Sequence, residues 1–338
     1  MKRSKRKLTR VRGRLWRRRI KSKLYFEIVI FLALISGGVS YAFFSNSVVI
    51  PNDGTLPKTT WMMYYTAMPD QSTGYLALAT AGNYSAELGA WTKKGRIVDT
   101  SQTLLRGAEP NVMFEDGVYK LWWHYTNYAF CYATSYDGFT WQNHGTILSE
   151  APTEIACPFV FKENGVYYMY YGVYNSARYG KWFHEATSTN GIDFTILGTV
   201  LTVGSGWDSL ELGNIYVKNI AGVYYMFYEA RSDGYWQIGL ATSSSPLGPF
   251  TKQGNAPLIN RYPGEACHPE IHKIGDTYYM WFHGSSSGLL PTDIYRRESQ
   301  DLITWTNERL VLTRTESWEG VGNAQGQVAD MCLIEVKA

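Results

Sequence analysis

A two-strand unit recurs along this chain at intervals of about fifty residues, and that repeat limits what the chain can fold into. Glu109–Tyr125 reads EPNVMFEDGVYKLWWHY and Cys157–Gly172 reads CPFVFKENGVYYMYYG. Glu211–Arg231 reads ELGNIYVKNIAGVYYMFYEAR and His268–Gly284 reads HPEIHKIGDTYYMWFHG. Each opens on a polar residue, runs through an apolar strand and a Gly- or Asp-containing turn, and ends in an aromatic strand. From Glu109 to Gly117, Cys157 to Gly165 and His268 to Asp276 the interval is eight residues. Asn214 to Gly222 is also eight, which leaves Glu211 one short insertion upstream. Supersecondary units with a fixed period are expected to stack side by side.

The two ends of the repeat complete one another. Trp61–Ala67 (WMMYYTA) matches the second strand of the unit but has no first strand before it. Gln327–Glu335 (QVADMCLIE) is a first strand with no second strand after it. Paired in space, they put Asp330 at the opening position and close a ring, which removes the free edge of a linear β-array. Each unit continues with an outer pair, as in Phe130–Ser135 with Trp141–Leu148, His184–Ser188 with Phe194–Leu201, and Ile238–Ser243 with Phe250–Ile259. YDGFTW, TNGIDF and SSPLGPF supply the turns. No helix-period segment of useful length follows residue 60. The expectation is an all-β, five-bladed β-propeller over residues 60–338, and 26 Tyr, 12 Trp and 32 Gly suit it.

A net charge of +3 conceals an asymmetry. The first 24 residues hold 13 of the 32 Lys and Arg and none of the 29 acidic residues, so the remainder is acidic. Neither a Gly-rich phosphate loop nor a basic face on the repeat argues for nucleotide or nucleic acid. After the basic run, Leu24–Phe44 is apolar except for Glu27. Its uninterrupted part, Ile28–Phe44, is 17 residues, about 25 Å as a helix. The charge bias keeps the N-terminus in the cytoplasm. Residues 1–23 thus read as a cytoplasmic tail, 24–44 as a single transmembrane helix and 45–59 as a linker to an exported, monomeric domain. A signal peptide cut near Ser40 and Ala42, releasing the domain, is the alternative. Cys131, Cys157, Cys267 and Cys332 lack metal-ligand spacing and read as buried thiols, with a Cys157–Cys267 disulfide as the minor alternative.

In such a ring the first strand of each blade lines the axis. The start of strand one and the end of strand two share a face. One mouth therefore gathers Asp330, Glu109, Cys157, Glu211 with Asn214, and His268. The second-strand ends add Thr66, His124, Gly172, Glu229 with Arg231, and His283. Carboxylates converging on a concave mouth ringed by Trp and Tyr are what glycosidic cleavage needs. One carboxylic acid protonates the leaving oxygen while another carboxylate activates water.

These residues resemble the five-bladed propeller clan containing glycoside hydrolase family 43 and the related fructosidase-type families, over Trp61–Glu335. The blade openings are similar in cyclic order: Asp330-Met331, Ala108-Glu109-Pro110, Cys157-Pro158, Glu211-Leu212-Gly213-Asn214 and Cys267-His268-Pro269. The resemblance implies Asp330 as general base, Glu211 as general acid and His268 as an axial residue beside which some relatives bind calcium. It departs at Cys157, where the family has an acid-modulating Asp, at Met331 in place of Pro, and at the residue inserted after Glu211. Glu109 and Glu154 are candidates for the missing charge.

The expected activity is hydrolysis of an oligo- or polysaccharide, with inversion and no required cofactor. Asp330, Glu211 and Glu109 are the expected catalytic residues, and His268, Arg231, His124, His283, Trp207, Glu270 and Cys157 the expected sugar contacts. A sugar-binding propeller without catalysis, or a glycosyl-transferring or phosphorolytic enzyme, are the competing expectations. Capping of backbone amides by the acidic residues and inter-blade packing by the aromatic stripes are the structural alternatives.

Overall fold

The computed structural model describes residues 59–337 apart from residues 71, 83–90 and 175–179. The expected membrane helix at Leu24–Phe44 lies outside the described residues. Among those described, no helix is long and apolar enough to cross a membrane.

Five antiparallel sheets form the blades. Blade 1 joins both ends of the chain: Gln327–Lys337, Thr59–Met68, Tyr75–Gly82 and Thr92–Arg96. Blade 2 is Ala108–Glu115, Val118–Thr126, Ala129–Ser135 and Thr140–Ser149, with Val98–Asp99 added in parallel at its edge. Blade 3 is Ile155–Glu163, Val166–Tyr174, Gly180–Ser188 and Thr195–Thr202. Blade 4 is Glu211–Ile220, Val223–Arg231, Gln237–Ser243 and Thr251–Lys252. Blade 5 is Cys267–Ile274, Thr277–Gly284, Asp293–Ser299 and Thr306–Leu312. The ring closes as expected, with Trp61 opposite Glu335 and Met68 opposite Gln327.

One outer strand is shorter than its sequence suggested. In blade 4 only Thr251–Lys252 pairs as a strand, and Ile259 returns to the sheet through a single bridge to Ile238. Between them lie Gly254 and Pro257, which break the ladder. All four cysteines are buried free thiols.

The aromatic stripes pack between blades. Trp122, Phe130, Tyr167 and Tyr171 fill the seam of blades 2 and 3, while Trp61, Tyr65 and Trp281 fill that of blades 5 and 1. Such side chains each remove 150–250 Å² from water, or about 4–6 kcal/mol at ~25 cal/mol per Å². Acidic residues in the connections act as staples. Glu319, fully buried, accepts from Tyr65 Oη at 2.8 Å and from Lys93 Nζ at 2.5 Å. Asp208 pairs with Lys252 and accepts from Tyr228 Oη.

Candidate active site

Every inner strand carries the same irregularity near its start. Two residues of strand one oppose a single residue of strand two: Glu109-Pro110, Cys157-Pro158, Gly213-Asn214, His268-Pro269 and Asp330-Met331. Such bulges re-aim side chains. In four blades the first bulge residue is non-glycine in the left-handed region, with φ of 57° at Glu109, 60° at Cys157, 50° at His268 and 47° at Asp330. Non-glycine residues there cost about 1–3 kcal/mol each and cluster at functional sites. The repeat thus brings the polar opening residues to one end of the axis.

Glu109 is the best-satisfied acid. Its carboxylate accepts from the Cys157 N–H at 2.5 Å and the Cys157 thiol at 3.2 Å, and lies 3.1 Å from His124 Nδ1. Burial works against the charge, but His124 and the two Cys157 donors outweigh it and hold the carboxyl below its ordinary range. Burial and the Glu109 charge push the Cys157 thiol well up, so it is a neutral donor. The fixed negative charge at this side of the mouth therefore belongs to Glu109.

Blade 4 departs from the others. Its bulge opens on Gly213, and a Cβ there would stand 1.9 Å from Glu229 Oε1. The carboxylate comes instead from the facing strand. Glu229 Oε2 accepts the His268 N–H at 2.7 Å, and Asn214 bonds it through backbone and side chain. Burial nevertheless raises its pKa to about 7, with the Glu109 charge acting in the same direction. Glu229 stood among the mouth residues of the sequence without a catalytic role. The usable signal was a glycine at a position polar in the other blades, with a Glu ending the strand across from it.

Asp330 is nearly buried at the seam of blades 5 and 1. Its N–H donates to His283 Nδ1 at 3.0 Å, and its Oδ1 lies 3.5 Å from that nitrogen and 3.7 Å from His268 Nδ1. Burial, then Glu109 and Glu229, drive its pKa well up, opposed by a hydrogen bond with Thr66. Burial lowers His268 to about 4 and His283 to about 3, so both imidazoles are neutral at ordinary pH. Thr66 also accepts the Glu109 N–H at 2.9 Å, linking two of the three acids. A cavity of about 340 Å³ opens here, with Glu229, Asp330, His283, Asn214, Trp236 and Glu265 in its lining. Burial holds Glu265 up at about 8, and sequence reasoning passed over it.

Among the expected site residues, Asp330 and His283 line this cavity, whereas Glu109, Cys157, His124, His268, Glu211 and Arg231 do not. Glu211 is engaged by Arg231, whose Nε and Nη2 sit 2.9 and 2.6 Å from its Oε2, and its charge reaches Tyr174 together with those of Glu109 and Glu229. Trp207 stacks on Tyr228 in the core between blades 3 and 4. Glu270 faces a second cavity further along the axis, bonded to His272 Nε2 at 2.7 Å and the Leu333 N–H at 2.8 Å. Calcium prefers six to eight oxygen ligands. Beside His268 the ring nitrogen is occupied by Asn214 Oδ1 at 2.8 Å, and no cluster of three or more His, Cys, Asp or Glu among the described residues is arranged for a metal. The residues do not fit a calcium site.

An endo-1,4-beta-xylanase from Bacteroides thetaiotaomicron superposes with a TM-score of 0.60 at 18% identity, over 75% of this chain and 91% of that one. A family 117 glycoside hydrolase of the marine bacterium Zobellia galactanivorans superposes at 0.52 and 18% identity, over 64% of this chain and 75% of that one. The fold is that of the propeller glycosidases. In sequence, a stretch of 106 residues is 28% identical to the "Probable arabinan endo-1,5-alpha-L-arabinosidase A" of Aspergillus flavus, and equally to that of Aspergillus oryzae. That match spans 29% of this chain and about a third (32%) of the length of either fungal protein. No protein-family model matches the chain.

Proposed function

We propose that this chain is a glycoside hydrolase whose catalytic pair is Asp330 and Glu229, with Glu109 as the fixed charge beside them. The observation that carries this reading is a set of three carboxyls at one mouth of the axis, Glu229 and Asp330 buried and Glu109 half-buried, in unequal surroundings. Hydrolysis requires one protonated and one ionised carboxyl, and divergent environments are how a site separates them. Glu229 receives N–H donors from His268 and Asn214, which favour its carboxylate. Burial and the charges of Glu109 and Glu229 keep the proton on Asp330, whose neighbouring imidazoles are neutral and offer no compensating positive charge.

In this scheme Asp330 gives its proton to the glycosidic oxygen as the C–O bond breaks. Water attacks the anomeric carbon and passes a proton to Glu229. The family resemblance suggested Asp330 as base and Glu211 as acid; the surroundings of these residues favour the other order and the other glutamate.

The relatives named above make neutral polysaccharides such as arabinan and xylan the first substrates to try. Phosphorolysis is disfavoured because Arg231 is committed to Glu211. Glu109 meets the main argument for a non-catalytic propeller, which was the thiol at position 157. The basic N-terminus and Leu24–Phe44 support a single-pass anchor holding the domain outside the cell.

The test is turnover of aryl glycosides by Asp330→Asn and Glu229→Gln, each expected to lose about 10²–10⁴-fold. A highly activated leaving group restores the acid variant and not the base variant. Undiminished rates in both would remove the pair from the mechanism.

A further inference from the structure

Two loops that contribute to the cavity lining are laced into one platform that nothing in the proposed chemistry uses. One follows the second strand of blade 4 and carries Tyr235 and Trp236; the other leads into blade 5 and carries Tyr262 and Glu265. The Ala266 N–H donates to the Trp236 carbonyl at 3.0 Å and the Gln237 side chain to the Gly264 carbonyl at 3.1 Å. The Arg261 N–H returns to Gln237 Oε1 at 2.7 Å, and its guanidinium holds the Glu265 and Ser285 carbonyls at 2.9 and 2.8 Å. Trp236, which lines the cavity, lies over Arg231 with 4.5 Å between guanidinium and ring centre.

On this platform Tyr235 and Tyr262 meet edge to face, with ring centres 5.1 Å apart and planes at 81°. Tyr262 is 65% exposed. An edge-on neighbour fixes a ring while leaving its face open, and a tyrosine held this way loses little freedom when a ligand covers it. Each tyrosine sits close in sequence to a cavity-lining residue: Tyr235 precedes Trp236, and Tyr262 is three residues before Glu265. Both tyrosines therefore belong to the two loops that supply Trp236 and Glu265 to the cavity wall.

We propose that Tyr235 and Tyr262 form a second sugar-binding subsite that stacks on a neighbouring ring of the same glycan chain. The inference rests on the glycosidase reading for what occupies the cavity. It makes the preferred substrate an oligo- or polysaccharide with at least one sugar beyond the cleaved bond on that side.

The experiment compares the full chain with its Tyr262→Ala and Tyr262→Phe variants. Kinetics are measured on a neutral oligosaccharide and on a short aryl glycoside, and migration through gels containing arabinan or xylan is recorded. Tyr262→Ala is expected to raise KM for the oligosaccharide about three- to tenfold. Its kcat, and the short substrate, should change less than twofold, and Tyr262→Phe should behave as the parent. An unchanged oligosaccharide KM, or an equal loss on both substrates, would overturn the subsite. If the parent hydrolyses nothing, the catalytic reading fails, and gel retardation alone decides. Retardation lost in Tyr262→Ala and kept in Tyr262→Phe supports the subsite, whereas retardation unaltered by Tyr262→Ala, or absent from the parent in both gels, refutes it.

Discussion

Glu229 fills the space that a side chain at Gly213 would need: the glutamate Oε1 lies 1.9 Å from where a glycine-to-alanine Cβ would be built. This pairing explains why blade 4 lacks a polar residue at the first bulge position and still contributes a carboxylate to the mouth. Gly213→Ala should therefore act through Glu229. We expect a loss of about 10²-fold in kcat, the scale of a misplacement near 1 Å. Circular dichroism should stay unchanged. An active Gly213→Ala enzyme would show that the placement of Glu229 does not matter.

The charge on Glu109 raises the pKa of both Glu229 and Asp330. On the proposed mechanism the active form holds one proton on that pair, so the rate profile should be bell-shaped with limbs that belong to the pair. Burial raises both groups, Glu229 to about 7 and Asp330 well above its ordinary value, so both limbs lie above the usual carboxylate range. Removing the negative charge makes both easier to ionise. Glu109→Gln should move the whole kcat/KM profile to lower pH by about one unit. An unmoved profile would mean that Glu109 exerts no field on the pair.

Glu211 and Arg231 separate structure from chemistry. Glu211→Gln leaves a partly buried guanidinium without its anion, at a cost of about 1–3 kcal/mol read as a lower midpoint in urea. Turnover of aryl glycosides should fall by less than about tenfold. If it falls as far as in Glu229→Gln, Glu211 belongs to the catalytic set after all.

Glu185 lies outside the site and is almost completely buried, and its Oε1 has no hydrogen-bond partner among the described residues. Burial raises its pKa from 4.5 to about 8. The folded state then binds more protons than the unfolded chain between those values, so stability on this account falls as pH rises from about 4.5 to 8. Glu185→Gln should raise the melting temperature by a few degrees at pH above about 8 and leave it nearly unchanged near pH 4. An identical shift at both pH values would assign the effect to packing rather than ionisation.

The number of blades, the closure of the ring through Trp61–Ala67 and Gln327–Glu335, and the gathering of Glu109, Cys157, His268 and Asp330 at one mouth were all legible in the sequence. Each follows from local period-two patterning and turn chemistry repeated at a fixed interval, with the first and last strands supplying the halves of one unit. That blade 4 lines the cavity with Glu229 of its second strand, and not with Glu211, was not legible. It depends on which two residues bulge opposite Glu229, a matter of one-residue register that only backbone pairing across the sheet decides. The protonation of the three acids was equally hidden, because it arises from burial among five blades and from charges far apart in the chain. Sequence determined the ring and its mouth; tertiary structure chose which carboxyls face one another there, since desolvation and electrostatic fields exist only once the blades have closed.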